Sequence, residues 1–452
     1  MKHKLISIML IWALILQLPC FAFFNKSKTP VIDVKEKIAY VNMCWWDKFD
    51  DPILKNYIIR AVEYNHDLKK ASWQVEEYRQ FVKYSFGQEL PHFSVTPANL
   101  ALKLPPFIGD DVQRDFFVLP FLASYEADFL LKNRDKTKSA KKTYEASKFD
   151  EQTIYISIAS MVATTYLNII KYDKLIETQC KIVANQKEIF ARQEKKYKRG
   201  VIDAMSYNDA LKNYKNAKNT LEDLIKYRGD SLNELAVLIG DSAENSHCLQ
   251  RTNFDEFDYK TNSITSICSD TIFSRPDVLS AEAKLEKAKI DVRVARKEFF
   301  PSFNVIGIYA FNTSAGNFFS WKSTLAYLFT GAAQDIFKGG MKVANLKIQK
   351  SRYEQLFEQY NQVSMTALKE VNDSLLYIKQ DTQVDQNNII RLNKQKDNYK
   401  RQLHQYNQGV IACSDLLSAN ELLLNYEKEK IDSKANRIKD YFTLYKAVGG
   451  KI

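Results

Sequence analysis

The side chains best suited to chemistry in this chain are five histidines (His3, His66, His92, His247 and His404), six cysteines and a scatter of acidic pairs. Catalysis and metal binding need such groups to converge. No two histidines stand at the spacing that would place them on one helix face, and none is paired in sequence with a nucleophile. The chain has no CxxC pair and no Cys/His spacing of the kind that holds zinc. Lys338-Gly339-Gly340 opens a helix as phosphate-binding loops do, but the rest of a Walker or dinucleotide pattern is missing, which leaves a strand-to-helix turn. Asp50-Asp51 and Asp110-Asp111 fall where caps and turns are expected. These residues point away from an enzyme and imply no metal and no cofactor. Function must then lie in the shape that the elements build.

That shape is written twice, about 210 residues apart. Asn65-His66-Asp67-Leu68, Ala71, Glu76 and Pro91-His92-Phe93-Ser94-Val95 are echoed by Arg275-Pro276-Asp277-Val278, Ala281, Glu286 and Pro301-Ser302-Phe303-Asn304-Val305. Tyr197-Lys198-Arg199-Gly200-Val201-Ile202 is echoed by Tyr406-Asn407-Gln408-Gly409-Val410-Ile411. Each copy runs helix, two strands, very long helix, tight turn, long helix. The expected division is repeat 1 over 51–240, with strands near 91–123 and a helical hairpin near 126–239. An inter-repeat segment follows over 241–274. Repeat 2 covers 275–452, with strands near 300–337 and a hairpin near 341–447.

The N-terminus carries an export signal over residues 1–22. Lys2 and Lys4 precede an apolar run, Leu5 to Leu18, of about 14 residues, too short to span a bilayer comfortably. Cys20-Phe21-Ala22 offers a cleavage site, with the mature start near Phe23. Acylation of Cys20 is the alternative, which the preceding Leu18 and Pro19 fit poorly. Residues 23–50 read as an irregular arm. Five cysteines remain after cleavage: Cys44, Cys180, Cys248, Cys268 and Cys413. Cys248 and Cys268 flank one loop and could pair in an oxidising compartment; two unpaired thiols is the other reading.

In repeat 2, Phe303, Val305, Gly307, Tyr309 and Phe311 alternate with Ser302, Asn304 and Asn312, and Trp321, Leu325, Tyr327 and Phe329 alternate with Lys322, Thr324 and Thr330. About ten residues is the length of a tilted membrane strand, and aromatics at strand ends suit its interfaces. The strands of repeat 1, near 91–104 and 112–123, are interrupted by Pro97, Pro105, Pro106 and Pro120. Four strands cannot close a barrel, and lipid forbids an open edge, so a membrane reading forces several chains to share one barrel.

No proline lies between Pro120 and Pro276 or after Pro301, which suits long uninterrupted helices. Pro52 behind Asp51 starts a helix expected to reach about Phe86. Tyr155, Ile158, Val162, Thr165, Ile169, Tyr172 and Ile176, continued by Val183 and Phe190, follow coiled-coil spacing. A helix over 126–198 would be roughly 105–110 Å long. It returns over 203–239, and the second pair is 341–406 and 413–447, with Gly200 and Gly409 at the turns. The net charge of +11 raises the question of nucleic acid, but Lys and Glu are interspersed as in Glu427-Lys428-Glu429-Lys430, so no nucleic-acid partner is expected.

Trp45-Trp46-Asp47-Lys48-Phe49-Asp50-Asp51-Pro52-Ile53-Leu54, Ser274-Arg275-Pro276-Asp277-Val278 with Ala281-Glu282 and Phe299-Phe300-Pro301, Asp335-Ile336-Phe337-Lys338-Gly339-Gly340 and Ala447-Val448-Gly449-Gly450 together resemble the motifs of the outer-membrane factor (TolC-like) family, in its NodT-type branch. The resemblance covers nearly all of the mature chain. It implies a mainly α protein with a membrane β-barrel part: a homotrimer with a 12-stranded barrel in outer-membrane lipid and a trimeric α-barrel across the periplasm. It implies an exit duct for small molecules, served by a periplasmic adaptor protein and an inner-membrane pump. A type I protein secretion duct and a poreless periplasmic coiled coil are the alternatives. By position, Arg199, Gly200, Val201, Gln408, Gly409 and Val410 are the implied adaptor-contact tips. Tyr406 and Asp415 are the implied periplasmic gate, although Ser418 and Ile411 depart from the family's usual lock.

Overall fold

The computed structural model of the protein describes residues 34–96, 98–103, 113–260, 267–312 and 324–451. The export signal over 1–22, the start of the arm, Pro97, Pro105, Pro106, Asp110-Asp111, the loop beyond Asn312, Trp321 and Lys322 lie outside these residues.

Asp51 starts α1 (Pro52–Tyr64): its Oδ1 accepts the Ile53 and Leu54 amides at 2.8 and 3.1 Å, and Pro52 sits where no N–H is needed. The single helix expected to residue 86 is broken at Asn65. Its ψ of 130° leaves the helical region, and its side chain caps α2 (His66–Gly87) through the Asp67 and Leu68 amides at 2.9 and 3.1 Å. Asparagine gains more as a cap than inside a helix, which is why the break falls there.

The first expected strand is two short ones, β1 (His92–Val95) and β2 (Ala98–Lys103), both antiparallel to β3 (Gln113–Ala127). β3 runs past residue 123 to Ala127, so the next helix begins at 132 rather than 126. β4 (Ser302–Asn312) and β5 (Thr324–Ala333) lie within the expected 300–337, but the exposure of β5 does not alternate between its faces. β3 pairs with β4 from Val118 opposite Asn312 to Ala127 opposite Phe303, which joins the repeats in one open five-stranded sheet.

The long helices are α3 (Lys132–Lys198), α4 (Ala204–Leu238), α5 (Pro276–Lys297), α6 (Met341–Asn407) and α7 (Cys413–Ala447). α3 and α6 each have 67 residues, and α4 and α7 each have 35, so the two hairpins match turn for turn. At 1.5 Å per residue α3 is about 100 Å long. Tyr155, Ile158, Val162, Thr165 and Ile169 are buried as the seam requires, but α3 is buried on further faces too, including Ile156, Ala163, Tyr166 and Ile170. The cause is that α2, α4, α5 and α7 all pack on it. By length and composition α3 could cross a membrane, but 67% of its most apolar stretch is buried inside the protein, as in a core helix. α6, by contrast, is buried along one heptad stripe that includes Ala367, Val371, Ser374, Ile378, Asp385 and Leu392.

The arm is less irregular than its sequence reads. Its described part forms short helical turns at Val34–Ile38, Ala39–Val41, Met43–Trp46 and Asp47–Phe49. Trp45, Trp46 and Phe49 are fully buried against Phe257, Tyr259, Phe442 and Tyr445. Phe257 and Tyr259 come from the inter-repeat segment, so this aromatic core ties the arm, the connection and the end of α7 together. Lys37 adds a 2.6 Å ion pair with the buried Glu151 of α3.

Candidate functional site

Two joints fix where the hairpins point. At the first, Asn65 Nδ2 donates to the Leu238 carbonyl at the end of α4, 2.9 Å away. At the second, Arg275 Nη1 donates to the Ala447 carbonyl at the end of α7, 2.6 Å away. The remaining Arg275 donors reach Asp277 at 2.6 and 3.0 Å and Glu370 at 2.8 Å, and these carboxylates hold its guanidinium above its ordinary value against the opposing effect of burial. Both joints need glycine. Gly240 (φ +72°) and Gly449 (φ +65°) end the hairpins, and a Cβ on them would lie 2.7 Å from Tyr64 and 2.9 Å from Pro276.

The far ends of the hairpins are also alike. Gly200 (φ +71°) and Gly409 (φ +73°) take the left-handed turn. The Val201 amide reaches back to the Lys196 carbonyl at 2.9 Å and the Gly200 amide to Tyr197 at 2.9 Å; Val410 and Gly409 repeat this with Gln405 and Tyr406, both at 2.9 Å. This closure satisfies the last carbonyls of the outgoing helix. Asp203 Oδ1 then caps α4 through the Ser206 amide at 3.0 Å. The closure leaves apolar side chains in water: Val201 is 67% exposed, Val410 68% and Met205 73%. The six expected tip residues therefore lie on two matching turns that both present a valine.

Tyr406 and Asp415 sit beside the second tip but are not brought together within the chain. The neighbouring Cys413 thiol raises the Tyr406 phenol above its usual value, while Arg192 on α3 acts in the opposite sense. Arg192 is itself held by Glu188 at 2.6 and 3.1 Å. Asp415 serves its own helix: it accepts the Ala412 amide at 3.3 Å. Ser418 donates to the Ser414 carbonyl at 2.9 Å. Cys413 and Arg192 were not expected here. Cys413 could have been found from its place just across the glycine turn from Tyr406; Arg192 belongs to the other hairpin, and no local pattern brings it in. Tyr197, the counterpart of Tyr406, stacks instead on Tyr207 with ring centroids 4.9 Å apart.

The hairpins are stitched to each other by buried amides on α3. Gln179 donates to the Ala217 carbonyl of α4 at 2.8 Å and accepts from Lys428 of α7 at 3.0 Å. Asn185 donates to the Leu417 carbonyl at 2.8 Å, and Gln186 donates to Glu421 at 2.6 Å. Cys248 and Cys268 are both free and exposed. His66, His92, His247 and His404 lie on four separate elements.

The sheet is the opposite of a core. β1 and β2 line one edge and β5 the other, and neither edge meets another strand among the described residues. On β5, Tyr327, Leu328 and Phe329 are 62, 76 and 63% exposed in succession, so both faces of this strand stand bare. Phe93 on β1 is 81% exposed. An apolar, unpaired edge of this kind is a template for further strands.

Comparison with known proteins matches this arrangement. A family described as outer membrane efflux protein is matched over residues 58–241 and 268–450. The chain is 24% identical over 447 residues to the probable outer membrane lipoprotein SilC of Salmonella typhimurium, covering 95% of this chain and 92% of that protein. It is 24% identical over 441 residues to the cation efflux system protein CusC of Escherichia coli K12, covering 94% and 92%. Among solved structures, the Campylobacter jejuni CmeC outer membrane channel has the same fold, with a TM-score of 0.83 and 23% identity, over 90% of this chain and 87% of that one.

Proposed function

The chain belongs to the outer membrane efflux protein family, and on that premise we propose that three copies join sheet edge to sheet edge to form one outer-membrane duct. The protein is an outer-membrane efflux channel and not an enzyme. β1 and β2 act as one interrupted stave, so each copy brings four and three copies bring twelve. β5 of one copy pairs with β1 and β2 of the next, which removes every open edge from lipid. The bare faces of β5 then meet outer-membrane lipid on one side and the lumen on the other. The two hairpins of each copy extend the duct through the periplasm. The single observation that carries this reading is the open sheet, apolar on both faces at its edge and continuous with two helical hairpins about 100 Å long.

The duct is a passive exit path, and the energy for transport comes from a partner. A periplasmic adaptor protein therefore links it to an inner-membrane pump, and the apolar turns at Arg199-Gly200-Val201 and Gln408-Gly409-Val410 are its docking points. Tyr406 and Asp415 line the periplasmic aperture, where three Asp415 carboxylates would favour cations. Cargo is a small molecule or ion, chosen upstream. The alternatives of a protein-secretion duct and a poreless scaffold find no support among the relatives. SilC is described as a lipoprotein, and Cys20, the residue such an anchor would use, lies outside the described residues.

The test combines two measurements on one gene. Purified protein in liposomes is expected to conduct, and a strain lacking the gene is expected to retain exported small molecules. Liposomes that stay sealed would refute the duct. A deletion strain that loses a secreted protein while its small-molecule accumulation is unchanged would refute efflux.

A further inference from the structure

The seam of the second hairpin contains two facing carboxyl groups that the first hairpin lacks. The register of α6 on α7 follows from its hydrogen bonds. Arg391 pairs with Glu429 at 2.9 Å, and Asp385 accepts from Ser433 and Arg437, each at 3.0 Å. Antiparallel helices continue in step, so one turn further from the tip Asp381 falls opposite Asp440. Asp440 Oδ2 is closed to solvent and has no hydrogen-bond partner. Two ionised carboxylates are acceptors only, so they cannot satisfy each other; one proton between them supplies the missing donor.

The surroundings offer little else. Arg437, the nearest cation on the α7 seam, is held by Asp385 and by Asp258 of the inter-repeat segment at 2.9 Å. Lys439, next to Asp440 on α7, is exposed, and it eases the ionisation of Asp440 only weakly. Lys434 is occupied by the Phe254 and Asp255 carbonyls at 3.0 Å. Tyr377 stands one turn away on α6, and Tyr441 on α7 is stacked on Tyr259. The short helix Ser269–Phe273, which packs on α6, adds a further acid, Asp270. α3 crosses α7 here through Ser160, which donates to the Phe442 carbonyl at 3.1 Å, and it carries no charged residue from Ser160 to Leu167. In the first hairpin the matching positions are Tyr172 and Ser231, and the seam is closed by the Tyr172–Tyr227 ring contact at 6.0 Å.

We propose that Asp381 and Asp440 form a proton-operated clasp that fastens the second hairpin and has no equivalent in the first. When the shared proton is present, α6 and α7 are joined at this level. When it leaves, two negative charges face each other across a buried seam and the helices part there. Burial and the neighbouring Asp381 raise Asp440 from the ordinary 3.8 to about 7. Stability from the clasp is therefore full below about pH 4 and is lost as the pH rises through about 7. The clasp lies in one chain and does not depend on the tips docking a partner.

Amide hydrogen exchange of the purified full-length protein tests this. Segments 374–386 and 434–446 are read against their counterparts 165–177 and 225–237, with intrinsic rates corrected. Between about pH 6 and about pH 8 the second-hairpin segments are expected to lose about tenfold protection relative to the first. Asp440→Asn donates without titrating and is expected to make the ratio constant within about twofold, while Asp381→Asn takes away the facing charge and supplies a donor, so the change is expected to shrink although Asp440 stays buried. If one variant does not fold, the other still decides. A wild-type ratio that does not move with pH, or Asn variants that lose protection as the wild type does, would overturn the clasp.

Discussion

Gly200 and Gly240 have nearly the same backbone, φ +71° and +72°, in opposite surroundings, and exchanging each for alanine separates two effects that usually come mixed. At Gly200 a Cβ meets nothing within 4 Å, so Gly200→Ala carries only the left-handed penalty, about 1–2 kcal/mol. At Gly240 the same Cβ lies 2.7 Å from both Cβ and the carbonyl oxygen of Tyr64. Neither is the end of a flexible side chain, so α1 must move away from α4, which adds about 1–3 kcal/mol and brings the total to about 2–5 kcal/mol. That movement also stretches the bond from Asn65 to Leu238, now 2.9 Å. Asn65→Ala should therefore cost less in the Gly240→Ala background than in the wild type, while its cost in the Gly200→Ala background is unchanged. Urea unfolding in detergent, followed by far-ultraviolet circular dichroism, measures all of these. Equal costs for the two glycine variants, or strict additivity of Asn65→Ala with Gly240→Ala, would refute the joint as the reason for the glycine.

Arg275→Ala leaves Asp277, Glu370 and the Ala447 carbonyl without their donor, and unfolding should show a loss of about 3–5 kcal/mol, against about 1–2 kcal/mol for Asn65→Ala. Lys37→Met leaves the Glu151 carboxylate, 2% exposed, with only its Ser72 partner; limited proteolysis should then release the arm while the hairpins stay intact. Val201→Asp and Val410→Asp change exposed tips, so assembly and liposome conductance should persist while export in cells is lost; retained export would remove the tips from docking. Asp415→Asn keeps an acceptor for the Ala412 amide but removes the charge, so cation block of the closed channel should weaken in planar-bilayer recordings, and unaltered block would take Asp415 out of the aperture.

The hairpins were legible because they are locally determined. Proline-free runs propagate a helix until a glycine takes the left-handed turn, which places the ends of α6 and α7 within a residue of expectation. The break at Asn65 was legible only through the repeat: its counterpart Arg275 precedes Pro276, a residue that favours the first helical position, whereas the first copy has histidine there. The arm was misread because turns of three to five residues carry no periodicity, and what orders them is distant, the aromatic rings of Tyr259, Phe442 and Tyr445. The surroundings of Tyr406 and the facing of Asp381 and Asp440 are likewise products of register between elements. No local spacing encodes that register; the length of each turn and the packing of α6 on α7 set it.

The central claim is that this sheet is unfinished in one chain and completed by sister copies. Electron microscopy of the detergent-purified protein tests it most directly. The expected image is a cylinder of three-fold symmetry whose membrane end is one closed barrel of twelve staves. Lone subunits, or a barrel closed within a single chain, would contradict it.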